Sequence, residues 1–247
     1  MSTVAEVRAA LRQAASPERA QGAARFFKTG KGEYAEGDVF IGVPVPAVRT
    51  IVRLHRELPL AGVDALLRSK VHEERLTALL LLVDRYKRAK RDAAAREQIV
   101  QLYLDRLAHV DNWDLVDSSA PQLLGAWLFE RERDQLDRLA ASESLWSRRV
   151  AMVATQYFIR KGEAEDALRI ATTLLGDRHD LIHKAVGWML REVGESVDLA
   201  ALRGFLRKHA ATMPRTALRY AIEKLPADER ARWLQARDGS KDRRSRG

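Results

Sequence analysis

Lys184-Ala185-Val186-Gly187-Trp188 places a basic residue at the head of an apolar helical stretch, and three other segments do the same. They are Arg75-Leu76-Thr77-Ala78-Leu79, Arg149-Val150-Ala151-Met152-Val153 and Arg215-Thr216-Ala217-Leu218-Arg219. The basic residues lie 74, 35 and 31 positions apart, so the first interval spans two repeats and hides one near position 112. A period in the thirties, made of two helices, is the signature of a helical solenoid, in which each unit buries its apolar face only against its neighbours. The tetratricopeptide aromatic pattern is absent. Variable linkers and apolar second helices favour HEAT-like repeats. The expected fold is therefore all-α, a HEAT-like superhelix over residues 1–237, followed by a basic, disordered tail over 238–247.

The rest of the chain agrees. Ala, Leu, Arg and Glu, all good helix formers, fill most segments. No Asn-Gly or Asp-Gly turn lies between alternating apolar residues. The exception is Thr29 to Pro46, with four glycines and two prolines. It reads as a loop, with Val39 to Val43 locally extended. The longest apolar run, Ala78 to Val83, is far short of a membrane span. Met1 to Ala10 holds no signal-peptide core, so a cytoplasmic location is expected. The absence of cysteine excludes disulfides, thiolate metal sites and cysteine nucleophiles.

The 247 residues carry a net charge of +9. The last ten hold four Lys or Arg against two Asp, so most of the excess sits in the body. A basic body suits a polyanion such as nucleic acid. If Arg75, Arg149, Lys184 and Arg215 each open the second helix of a repeat, stacking brings them and the helix N-termini to one concave edge. Free N–H groups and helix dipoles there suit phosphate. The alternative is a solvated set of helix starts.

The hidden repeat breaks the pattern. It reads His109-Val110-Asp111-Asn112-Trp113-Asp114-Leu115-Val116-Asp117-Ser118-Ser119-Ala120-Pro121, with no base where its neighbours have one. On a helix Trp113 and Asp117 share a face, and Asp114 points elsewhere. Either Asn112 or Asp111 caps the helix. Pro121 either kinks it or starts a new one. An acid facing a polyanion is costly unless it meets a cationic base or a sugar developing positive charge. Alternatively, the tryptophan anchors the repeat and the acid caps it.

Several segments, in order, resemble the AlkD-type DNA alkylation repair glycosylases, a HEAT-like repeat family. Trp113-Asp114-Leu115-Val116-Asp117-Ser118 is similar to the family's WDxVDS element. Trp146-Ser147-Arg148-Arg149-Val150-Ala151 and Lys184 to Glu192 are similar to two later elements, and Met213-Pro214-Arg215-Thr216 resembles the final helix start. The resemblance covers roughly residues 5–235. It implies a bacterial, cytoplasmic enzyme of base excision repair, nucleoid-associated when bound to DNA. This enzyme hydrolyses the N-glycosidic bond of cationic N3- and N7-alkylated purines in duplex DNA without flipping the base. It implies Asp117 as the catalytic carboxylate and Trp113 and Trp188 as aromatic contacts to the deoxyribose. It implies Arg149 as a backbone clamp, with Arg148, Lys184, Arg215, Arg75, Phe26 and Lys28 also on DNA. Neither cofactor nor metal is implied, and a monomer suffices. The alternative is a noncatalytic repeat protein that binds distorted or branched DNA.

The chain departs from the family in Ala24-Arg25-Phe26-Phe27-Lys28, where Phe26 replaces a tyrosine. The aromatic contact survives without the hydroxyl. Gly30 to Asp38 resembles an insertion of a sister subgroup. Phe26 and Phe27 either line the mouth of a DNA groove or pack the first repeat. His179 and His183 have the spacing of a metal pair but no evident third ligand, so surface roles are favoured. Lys87-Arg88-Ala89-Lys90-Arg91 reads as a solvated helix end. Trp127, Trp146 and Trp233 are expected to pack in the core.

Overall fold

The structure is a computed structural model that describes residues 2–235. The predicted tail, 238–247, lies outside them. The described chain is all-helical apart from turns, loops and one isolated parallel β-bridge, Val39 to Val71. Val39, one partner of that bridge, falls within the segment expected to be extended. The described chain divides into two compact units, residues 2–127 and 128–235.

The first unit contains α1 (Val4–Ala14), α2 (Pro17–Phe26), α3 (Val45–Leu54), α4 (Leu60–Leu67), α5 (His72–Arg88), α6 (Ala93–Asp105) and α7 (Trp113–Ser119). Local chemistry explains several boundaries. Thr3 and Glu6 form a reciprocal capping box on α1. Ser16 caps α2, whose first residue is Pro17, where a missing N–H costs nothing. Asp92 caps α6. Helices α3, α5 and α7 pack side by side, and α5 also contacts α1, α4 and α6. The middle helix is therefore buried on nearly every side, with Leu79 and Leu82 fully enclosed. After α7 the chain makes one π-helical turn, Pro121–Gly125, with Gly125 N–H donating to the Ala120 carbonyl at 2.9 Å. Pro121 thus opens a wide turn where its lacking N–H is tolerated, rather than a new α-helix. The short α8 (Ala126–Leu128) follows.

The second unit contains α9 (Asp134–Ala140), α10 (Leu145–Ala154), α11 (Gln156–Ile159), α12 (Glu165–Leu174), α13 (Asp180–Ser196), α14 (Leu199–His209), α15 (Arg215–Ala221) and α16 (Ala227–Gln235). It repeats a simple plan. Helix α9 pairs with α10, α12 with α13, and α14 with α13, while the second helices α10, α13 and α15 pack in sequence. Gly187 shows how tightly α13 and α15 meet. A Cβ there would collide with the Ala217 carbonyl oxygen and the Tyr220 Cβ. Gly187→Ala is accordingly expected to lower stability by about 1–3 kcal/mol, the usual range for overpacking. Equilibrium urea unfolding checks it, and an unchanged midpoint would contradict the close approach.

The repeat register agrees with the reading of the sequence. Arg75, Arg149, Lys184 and Arg215 all fall within the first five residues of α5, α10, α13 and α15, and the hidden repeat is α7.

Candidate functional site

Helix α7 begins at Trp113 because Asn112 caps it. The Asn112 side-chain oxygen accepts from the Trp113 N–H at 2.8 Å. Asn112 is fully buried, so its amide must also find a partner, and Asp38 Oδ2 lies 3.4 Å from Asn112 Nδ2. The other cap candidate, Asp111, instead lies 3.1 Å from Arg75.

The two acids of α7 differ in their known surroundings. Asp114 turns to α5, where its Oδ2 accepts from His72 Nε2 at 2.8 Å. Asp117 stands one turn beyond Trp113 on the same face and is half-buried. Beneath α7 lies Tyr103, fully buried, with Ser119 Oγ donating to its hydroxyl oxygen at 3.3 Å. Burial raises the Tyr103 pKa, the Ser119 bond opposes this, and the negative charge of Asp117 adds to it.

The first turn of α5 was not singled out in the sequence beyond Arg75, yet it is the hub of this unit. His72, Glu73, Glu74 and Arg75 are consecutive, charged or ionisable, and all buried. Each has partners. His72 Nδ1 donates to Asp38 at 2.8 Å while Nε2 donates to Asp114. Glu73 accepts backbone N–H bonds from Ile41, Gly42 and Val43, the shortest 2.7 Å from Gly42, and so fixes the loop before α3. Glu74 pairs with Arg8 at 3.0 Å. Arg75 pairs with Asp38 at 2.8 Å and with Asp111, and donates to the Ser69 carbonyl at 3.0 Å.

These bonds set the charge states. Burial alone would lower the His72 pKa. The bonds to Asp114 and Asp38, and their charges, more than offset it and hold the value at about 9. For Asp38, burial pushes upward, but bonds and charges from His72 and Arg75 win and lower its pKa.

Aromatic rings cover this network. Trp113 stacks on Phe27 at 5.2 Å and 19°, Phe27 on Phe40 at 4.9 Å and 17°, and Phe40 on His72 at 4.4 Å and 24°. Phe26 meets Trp113 edge-on at 5.9 Å and is 65% exposed. The two alternatives for the phenylalanines are thus divided between them: Phe26 faces solvent and Phe27 packs. Lys28 is exposed and adopts a left-handed φ of 56°, ending α2. A cavity of about 190 Å³ opens beside the stack, lined among others by Arg19, Phe27, Phe40, Val45, His72 and Asp114.

Of the predicted site residues, the first unit therefore brings together Trp113 and Phe26, with Asp117 on the Trp113 face. Arg75, expected at a solvent-facing edge, is instead buried and turned inward to Asp38, Asp111 and the Ser69 carbonyl.

In the second unit, Trp188 is half-buried and its indole N–H donates to Glu192 at 3.0 Å. Arg149 is buried and donates to the Leu181 carbonyl at 2.6 Å, in the first turn of α13. Arg148 pairs with Asp177 at 2.6 Å beside a shallow cavity of about 420 Å³ that Arg178 and His179 also line. Lys184 is more exposed and pairs with Asp180 at 2.9 Å. Arg215 is exposed and donates to the Leu234 carbonyl. His179 caps α13 through its ring nitrogen, and His183 bonds the Asp177 carbonyl at 2.6 Å, so both histidines serve the backbone. Trp127, Trp146 and Trp233, expected in the core, are half-buried.

The pieces define a helical-repeat protein whose short α7 presents a tryptophan and a carboxylate one turn apart. The chain belongs to the DNA alkylation repair enzyme family, whose sequence profile matches residues 7–225. Two solved structures share the fold. A predicted DNA alkylation repair enzyme from Enterococcus faecalis is 18% identical with a TM-score of 0.66, over 86% of this chain and 97% of that one. AlkD2 from Streptococcus mutans is 16% identical with a TM-score of 0.52, over 91% of this chain and 98% of that one. No curated protein matches the sequence. Among the described residues no helix is long and apolar enough to cross a membrane.

Proposed function

We propose that this protein is a DNA glycosylase that releases cationic N3- and N7-alkylated purines from duplex DNA. The observation that carries the reading is the division of labour on α7. Asp114 is committed to His72, while Asp117 sits half-buried on the Trp113 face. An alkylpurine cation leaves as a neutral base, so it needs no general acid. What needs help is the positive charge that develops on the sugar, and a nearby carboxylate stabilises it and orients the attacking water. Trp113 supplies an aromatic surface for the deoxyribose. Trp188 takes the second such role on the strength of the family resemblance alone. The base stays stacked in the duplex, and the protein works as a cytoplasmic monomer.

Phosphates are met by exposed Lys28 and Arg215 and by half-buried Lys184, with Phe26 at the edge of Trp113. Arg148 and Arg149 act from within, holding the segment before α13 and its first turn. Lys184→Ala is expected to weaken DNA binding and to reduce the slope of log affinity against log salt by about one unit. Fluorescence anisotropy over a salt series measures it. An unchanged slope would remove Lys184 from the phosphate contacts.

One observation favours a second reading. Phe27 covers one face of the Trp113 indole. A noncatalytic protein that binds distorted or branched DNA would use such a stack as a wedge. Release of 7-methylguanine or 3-methyladenine from methylated duplex DNA separates the two. Base release supports the glycosylase, whereas tight binding without release establishes the second reading.

A further inference from the structure

His72 is a buried ionisable group that the proposed chemistry does not use. Both of its ring nitrogens lie 2.8 Å from carboxylate oxygens, Asp38 on one side and Asp114 on the other. Carboxylates only accept, so both bonds exist together only when the ring carries two protons. The other charged groups around it are already engaged. Arg75 is on Asp38 and Asp111, Glu73 on the loop N–H groups, and Glu74 on Arg8. Arg19 of α2 donates to the Gly42 and Ala14 carbonyls. Among the described residues, His72 is the one cation recorded on both Asp38 and Asp114.

The bonds converge on a single residue. Trp113 lies between Asn112 and Asp114 in the chain. Asp114 is bonded to His72, and Asn112 to the same Asp38 that His72 holds. The indole is then fixed from the ring side by the stack through Phe27 and Phe40, which ends on His72 itself. Hydrogen bonds and stacking thus form a closed circuit: His72, Asp114, Trp113, Phe27, Phe40 and back to His72. A residue held at both its backbone and its ring by one circuit has a single orientation.

We propose that Asp38, His72 and Asp114 form a positioning relay that sets the orientation of Trp113, and through the first turn of α7 that of Asp117. Asp38, the last residue of the Gly30 to Asp38 stretch, holds the other imidazole nitrogen and the Asn112 amide, and so braces the circuit from outside. The effect on catalysis rests on the glycosylase reading; the effect on Trp113 does not.

The test uses full-length protein labelled with 5-fluorotryptophan, with the Trp113 fluorine resonance assigned through Trp113→Phe. His72→Gln and Asp114→Ala each open the circuit, while Asp114→Asn keeps an acceptor for the imidazole. The Trp113 resonance is expected to shift or broaden in the first two and to stay at its wild-type position in Asp114→Asn. In single-turnover base release, the first two should lose about tenfold to 10²-fold in rate, as a misplaced reacting group does, with DNA affinity changed much less. Asp114→Ala, at a partly exposed side chain, keeps the test open should His72→Gln not fold. A Trp113 resonance unmoved in the folded circuit-opening variants overturns the relay, as does a loss confined to DNA affinity. If the wild type releases no alkylpurine, the glycosylase reading fails, and the fluorine spectra still decide the relay.

Discussion

Asp117→Asn is expected to lower the rate of alkylpurine release by about 10²- to 10³-fold, the scale on which a preorganised electrostatic group contributes. The amide keeps the size of the carboxylate and its place on α7, one turn past Trp113, but carries no negative charge for the developing sugar cation. DNA affinity should hold or rise, because an acid near the phosphate backbone is removed. The measurement is single-turnover release of 7-methylguanine from methylated duplex, with affinity determined separately on unmodified duplex. Asp114→Asn serves as the internal control. Its side chain points to His72, so a direct charge role predicts little loss there. Equal losses at both positions would mean that α7 as a whole, not the Asp117 charge, supports the reaction. Full activity of Asp117→Asn would remove the carboxylate from the mechanism.

That Asp114 turns away from the face of Trp113 was legible in the sequence, because a helix separates successive positions by direction. So were the helices themselves and the register of the second helices, from the spacing of Arg75, Arg149, Lys184 and Arg215. Side-chain fate was not. Lys184 and Arg75 occupy equivalent places in their repeats, yet one is only half-buried and the other buried against two acids. The difference depends on Asp38, which reaches Arg75 from 37 positions earlier in the chain. No local pattern marks such a partner. The same holds for His72. Its neighbours Glu73 and Glu74 form an acidic first turn, which suits a helix dipole and by itself calls for no buried partner. Four polar residues in a row ahead of a long apolar helix were the available signal. A helix buried on nearly all sides must bury its first turn as well, and polar groups there must be paired. The Gly30 to Asp38 stretch reads as part of a loop, and its last residue is the acid that pairs His72 and Arg75.

That pairing makes stability depend on alkaline pH, and the sign follows from the direction of the shift. His72 titrates at about 9 in the folded protein against 6.5 as the ordinary value. A raised pKa means that the folded state holds the proton more tightly than the unfolded chain. The stabilisation is therefore fully present below about pH 6.5, diminishes above it and is exhausted as pH rises through 9. A shift of this size corresponds to about 3 kcal/mol. Once the proton leaves, Asp38 and Asp114 face each other across a neutral ring that can donate to only one of them. Asp38, with its lowered pKa, works in the opposite direction and loses its contribution only in acid, below the ordinary 3.8. Urea unfolding of the wild type from pH 6 to pH 10 should show the alkaline decline. His72→Gln should be less stable at neutral pH, because it leaves part-buried Asp114 without its cation and Asp38 with Arg75 alone. It should also lack the His72 part of the decline, so the two curves converge toward pH 10. Parallel curves over that range would mean that the imidazole does not hold its second proton, and that the network is joined by a single bond instead of two.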